Sequence, residues 1–221
     1  MAPATPLDRL LLVATSVADD VGYVALSDLS QAVGSEPPGN YCVIGGHMVT
    51  ALVARWQLGS DLYRETGDTD VGVPPVVVQK ADLIQRLTDL GYTRQAGNRF
   101  ARTMRDVPVR LEGRQVPREA VIDILVPAFT SRARRNRRFG DHLVTTEVPG
   151  LATALTRPLV KMSLELQRLK GEVLDIELVF PDEVSALVLK SLATAVRSKS
   201  HGYRRHLALP RSGVCGRQNA R

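Results

Sequence analysis

Polar and apolar residues follow two rhythms along this chain. Asp68-Thr69-Asp70-Val71-Gly72-Val73 alternates with a period of two, which predicts a strand carrying both aspartates on one face. Pro74 and Pro75 stop it, because proline has no amide to continue a ladder. Tyr41-Cys42-Val43-Ile44 is short, apolar and β-prone and ends at Gly45-Gly46, and Met48, Leu52, Val53 and Trp56 follow at helical spacing. The pattern predicts strand, glycine turn, helix. Ala120 to Val126 is a third strand, an apolar run with Asp123 in its middle and Pro127 at its end.

The remaining segments give supporting elements. Leu10 to Val17, interrupted by Thr15 and Ser16 and closed by Asp19 and Asp20, suits a short amphipathic helix. Ser35 to Asn40 reads as a turn. Leu83, Ile84, Leu87 and Leu90 share a helical face within Ala81 to Leu90, with Gly91 as C-terminal cap. Phe100 to Val109 supplies further short strands. Val160 to Leu169 and Val173 to Phe180 form a strand pair joined around Lys170-Gly171-Glu172, and a helix runs from about Asp182, its cap, to Arg197. No repeat, low-complexity linker or sharp composition break divides the chain. A lobe boundary falls near residue 130, and one compact unit also fits.

Composition sets broad limits. With 221 residues, 44% of them hydrophobic, the chain can bury one good core or two modest lobes. The apolar run near the start is too short to span a membrane and lacks the features of a signal peptide. Its two cysteines, Cys42 and Cys215, provide neither a disulfide framework nor a structural zinc set, so a cytoplasmic location is expected. The net charge is +6 and the pI about 9.7. Arg132, Arg134, Arg135, Arg137 and Arg138 crowd together, and Arg204, Arg205, Arg211, Arg217 and Arg221 follow. That imbalance suits a polyanionic partner such as RNA, or a solvated basic face.

The chemistry centres on carboxylates. Transfer of a group from a nucleoside triphosphate needs hard divalent cations, held by few carboxylates because substrate phosphates complete the shell. Asp68 and Asp70 meet that need, with Asp123 from another strand as third ligand and proton acceptor. Asp-x-Asp alone also fits a solvated strand edge, whereas Asp123 within an apolar strand requires a counter-charge. Gly45-Gly46 allows backbone amides to approach phosphate oxygens at a helix start, or serves only as a tight turn. Lys190, in the apolar helical stretch Val184 to Ala195, pairs with an anion or snorkels to solvent. His47, directly after the glycines, reads as a local hydrogen-bonding residue or as one that approaches a phosphate or a base, Phe139 as the best aromatic for stacking on a base, and Cys42 as a core residue.

Four segments together carry a resemblance: Val43-Ile44-Gly45-Gly46, Arg64-Glu65-Thr66-Gly67-Asp68-Thr69-Asp70-Val71, Ile122-Asp123-Ile124-Leu125, and Ala186-Leu187-Val188-Leu189-Lys190-Ser191-Leu192-Ala193. Over roughly Tyr41 to Arg197 the chain resembles the nucleotidyltransferase-fold toxins of the AbiEii and MenT type. The resemblance implies an α+β fold: a polymerase-β-like mixed sheet flanked by helices in residues 1–130, and a smaller, basic C-terminal α/β lobe in 131–221 that completes the active site. It implies a two-metal magnesium site on Asp68, Asp70 and Asp123, a nucleoside triphosphate donor held by Gly45, Gly46, Arg64 and Lys190, the 3′ end of tRNA or another RNA as acceptor, and a cognate antitoxin. Such proteins continue after the last helix with Lys-Asp and a further active-site aspartate. This chain has no acidic residue after Glu183. Two other readings stay open: a transferase of the same fold that modifies a protein or small molecule, and a catalytically silent RNA-binding relative.

Overall fold

Arg9-Leu10-Leu11-Leu12-Val13 is a strand, β1, not the start of an amphipathic helix: Leu10 and Leu12 are buried while Arg9, Leu11 and Val13 face out. The helix begins later. Ser16 accepts from the Asp19 amide as N-cap of α1 (Val17–Val33), so Asp19 and Asp20 open this helix, where carboxylates suit the positive end of the dipole. The structure, a computed structural model, describes residues 5–206 apart from 35, 38, 64, 81, 112–113, 130–135 and 140–142, with side chains described outside 105–117 and 196–206.

The next elements match the sequence pattern closely. Strand β2 (Cys42–Ile44) runs directly into α2 (Gly45–Arg55), whose His47, Met48, Ala51 and Leu52 are buried. Strand β3 (Asp68–Gly72) ends before Pro74 and Pro75, and Pro75 starts the short helix α3 (Pro75–Gln79). Helix α4 (Asp82–Asp89) buries Leu83 and Leu87, and Gly91 follows with a φ of 86°, the left-handed geometry that favours glycine. Strands β4 (Thr93–Ala96), β5 (Arg99–Leu111) and β6 (Arg114–Pro127) complete the central sheet.

That sheet has six strands, in the order β2-β3-β6-β5-β4, with β9 (Glu147–Val148) also paired to β6. It is mixed: β3 and β9 run parallel to β6, while the β2–β3, β5–β6 and β4–β5 pairs are antiparallel. Between β6 and β9 lies a two-stranded hairpin of β7 (Arg137–Phe139) and β8 (Leu143–Thr145).

A second sheet has three strands. The expected hairpin is present as β10 (Leu159–Gln167) and β11 (Val173–Pro181), turning at Gly171, and β1 joins it in parallel alongside β10. Strand β11 lies beside β2 of the central sheet. Strand pairing therefore crosses residue 130 twice, at β1–β10 and β6–β9. Helix α1 packs on β3, β5, β6 and β11, and one apolar cluster runs from Leu10 through Leu26, Val71, Ile122 and Leu164 to Leu189. The class is α+β, with mixed sheets and helices against them. Among the described residues no helix is long and apolar enough to cross a membrane.

The last helix pair closes the central sheet. Leu151 of α5 (Leu151–Thr156) sits so close to Gly72 that a Cβ there would come 2.5 Å from its Cδ1. Asp182 caps α6, accepting from the Ser185 amide at 2.8 Å. Helix α6 (Glu183–His206) is nine residues longer than the pattern predicted, because no proline interrupts the chain between Glu183 and Leu209 and the single glycine, Gly202, weakens a helix without ending it.

Candidate active site

Pairing register decides what the aspartates do. On β3 and β6, Asp68 lies opposite Val121, Asp70 opposite Asp123, and Gly72 opposite Leu125. Residues facing each other across adjacent strands share a face, so Asp68, Asp70 and Asp123 project together. The alternate residues, Thr69, Val71, Ile122 and Ile124, are fully or almost fully buried on the other face. That apolar side anchors the two strands and fixes the carboxylate row.

A residue that sequence reasoning missed completes the row. Arg99 opens β5 and lies opposite Asp123 in the antiparallel β5–β6 ladder. Its Nη2 donates to Asp68 Oδ2 at 2.6 Å, and its Nε lies 4.0 Å from Asp123 Oδ1. Burial raises the Asp123 carboxyl above the usual carboxylate range, Arg99 opposes that, and Asp68 adds to it. No pattern around Arg99 advertises this role, since only the register of two strands joins it to the aspartates.

The glycine turn has a close steric reason. Gly45 has a φ of 76°, and a Cβ on it would overlap Oδ2 of Asp70; a Cβ on Gly46 would overlap the Thr66 side chain. The turn and the strand carboxylate are thus fitted to each other. The N-cap of α2 is Ile44, which provides no capping side chain, so first-turn amides of this helix take no bond from it.

Lys190 reaches the same place from far along the chain. A cleft of about 400 Å³ is lined by Gly45, Gly46, Glu65, Thr66, Gly67, Asp68, Asp70 and Lys190. On α6, Ala186 and Leu189 are buried against the body of the protein and Leu187 faces solvent, which leaves Lys190 half-buried at the rim of the cleft. Among the described residues no three His, Cys, Asp or Glu side chains converge on one point fit for a metal, and Asp68 is turned toward Arg99. Arg64, the second expected phosphate contact, lies outside the described residues, as do Arg132, Arg134, Arg135 and Cys215.

Several secondary expectations change. Phe139 does not offer a stacking face: it is 5% exposed, and the Arg137 guanidinium lies 4.9 Å from its ring centre. Arg137 also pairs with Glu147, so this arginine of the cluster serves the hairpin. His47 is not locally hydrogen-bonded: its Nε2 is buried without a partner, and burial pulls its pKa down to about 4. Cys42 is a core residue as expected, fully buried, its thiol pushed up to about 12. Phe100 is in the core, and Trp56 donates to Glu183 at 2.7 Å. A separate groove of about 480 Å³ at Arg9, Glu165, Asp175 and Glu177 is occupied by its own ion pairs, Arg9–Glu165 and Lys161–Glu177.

Compared with protein-family models, with curated proteins and with solved structures, the chain matches none.

Proposed function

We propose that this protein is a magnesium-dependent nucleotidyltransferase of polymerase-β-like fold, and that it transfers a nucleotide from a nucleoside triphosphate to the 3′ end of tRNA. In a cell this would be a toxin activity, blocking aminoacylation in the cytoplasm and held in check by a cognate antitoxin. The observation that carries the reading is the row of Asp68, Asp70 and Asp123 on one sheet face, of which Asp68 and Asp70 line a cleft shared with Gly45, Gly46 and Lys190. The resemblance in four ordered sequence segments supports it, and the excess of basic residues suits an RNA acceptor.

The donor set fits magnesium. All three ligands are hard carboxylate oxygens, two of them register neighbours, and the missing Cβ of Gly45 leaves room for Oδ2 of Asp70. Asp68, Asp70 and Asp123 would hold the metal. When bound, it would supply Lewis-acid polarisation of the phosphoryl oxygens and offset their charge. Lys190 and the first-turn amides of α2 would hold the triphosphate, with Arg64 as a further contact. Asp123 is the best-placed proton acceptor for the attacking hydroxyl, because burial raises its basicity toward the working pH. That assignment also answers the lack of any acidic residue after Glu183.

The test incubates purified protein with total tRNA, magnesium and each labelled nucleoside triphosphate in turn, beside Asp70→Ala. Label is expected in RNA for the wild type, and the variant should fall on the order of 10²–10³-fold. Label in protein or a small molecule instead would replace the acceptor, and no transfer in any lane would remove the enzyme reading.

A further inference from the structure

A second cavity lies behind the glycine turn. It measures about 210 Å³, and its walls include Asp19 and Tyr23 of α1, His47 and Thr50 of α2, and Tyr63 and Glu65 of the segment leading into β3. Glu65 lines this cavity and the carboxylate cleft alike. We infer that this cavity receives the nucleoside end of the triphosphate and selects bases that carry an exocyclic amino group. The inference rests on the proposed nucleotidyl transfer.

Unmet hydrogen-bonding capacity points to a ligand. His47 Nε2 and Thr50 Oγ1 are both buried and have no hydrogen-bond partner. Buried polar atoms are nearly always satisfied in folded proteins, and exceptions call for a bound water, ion or ligand. The His47 ring is held in place by contact with Gly22, where a Cβ would come 2.8 Å from both Nε2 and Cε1. At neutral pH the imidazole is uncharged, so it offers one donor and one acceptor. Tyr23 stays a phenol, its pKa raised first by burial.

Charge sorts the two cavities. The cleft presents Lys190 and a helix start, whereas the second cavity presents two carboxylates, Glu65 and Asp19, the latter already accepting from Thr15 at Oδ2, and no Lys or Arg among its described lining residues. A triphosphate tail is repelled from the second cavity. The uncharged end of the same molecule is not, and its amino groups are donors for carboxylate oxygens. Adenine, cytosine and guanine carry such a group and uracil does not. Tyr23 and Tyr63 provide aromatic walls for a flat ring.

Isothermal titration calorimetry with magnesium tests this by comparing ATP, CTP, GTP, UTP and inorganic tripolyphosphate. Wild-type protein should bind at least one amino-bearing nucleotide about tenfold more tightly than either UTP or tripolyphosphate. Thr50→Val and His47→Gln should bring that nucleotide to the level of tripolyphosphate without changing tripolyphosphate itself, and Glu65→Gln should narrow the gap to UTP. Thr50→Val keeps the side-chain shape, so it remains informative if His47→Gln unfolds the protein. Equal binding of nucleotides and tripolyphosphate, or a preference untouched by Thr50→Val and Glu65→Gln, overturns the inference and leaves the phosphate cradle standing. Failure of every probe to bind overturns both.

Discussion

Asp20 and Asp68 each meet an arginine, and their surroundings are opposite. Asp20 is 2% exposed and Arg168 8%, and their bond joins the first turn of α1 to the turn between β10 and β11. Arg168 donates from Nη2 at 2.9 Å and Nε at 3.3 Å, and the Leu169 amide donates to Asp20 Oδ1 at 2.9 Å. Asp68 and Arg99 have one 2.6 Å bond with side chains 53% and 40% exposed. The enclosed pair is fully wrapped in donors and acceptors and holds elements together. The open pair is wet, and its members remain available to a ligand. Ion pairing is therefore a fixture in one of these pairs and a resting state in the other.

The largest effect is expected where a partner is removed from the enclosed pair. Asp20→Ala leaves the buried Arg168 guanidinium with the half-exposed Glu172, 2.8 Å from its Nη1, as its remaining carboxylate partner, and should cost about 3 kcal/mol of unfolding free energy, the low end for breaking a buried pair. Urea denaturation of variant and wild type measures it. A sharper form of the comparison replaces both partners, Asp20→Leu with Arg168→Met, which should recover most of the loss, because the penalty comes from the buried charge. If the single variant loses under about 1 kcal/mol, water reaches the pair and the contrast with Asp68 disappears.

An intermediate effect, of opposite sign, is expected at Asp123. Its folded pKa is raised, chiefly by burial, so the native state holds its proton to higher pH than the unfolded chain does. Stability from this group is complete below the unfolded pKa and falls as pH rises through the window up to the raised folded value. Asp123→Asn removes the decline. The variant should therefore be more stable than wild type at neutral pH while losing transfer activity, and thermal melts across acid to neutral pH test both the sign and the window. A variant less stable than wild type at neutral pH would mean that Arg99 outweighs burial at this carboxylate.

Why some of this was readable and some was not follows from the range of the interactions. The strand β3 and the shared face of Asp68 and Asp70 depend only on neighbours in sequence, and so does the turn at Gly45-Gly46. The β10–β11 hairpin is equally local, its two strands separated by a few residues around Gly171. Strand β1 was misread because Leu10-Leu11-Leu12-Val13 is apolar on both faces, with Leu11 58% and Val13 48% exposed. What makes it a strand is β10, about 150 residues away in register, Arg9 against Ser163. Arg99 was invisible for the same reason, its role depending on where β5 aligns with β6. Phe139 was misjudged because adjacency to arginines in sequence does not show which way a ring packs.

The smallest effect is expected at the open pair itself. Arg99→Ala removes a bond between two side chains that water already reaches, so its cost should lie within about 0–1 kcal/mol. Salt distinguishes this from a buried interaction: near 1 M salt the screening length falls to about 3 Å, and the difference between Arg99→Ala and wild type should vanish. The Asp20→Ala loss should persist under the same conditions, because no counter-ion reaches a residue 2% exposed. Measuring both variants in low and high salt thus puts the two arginines on one scale. A loss above about 2 kcal/mol that survives salt at Arg99 would make this pair structural too, and the carboxylate row would then be locked shut rather than open to a cation.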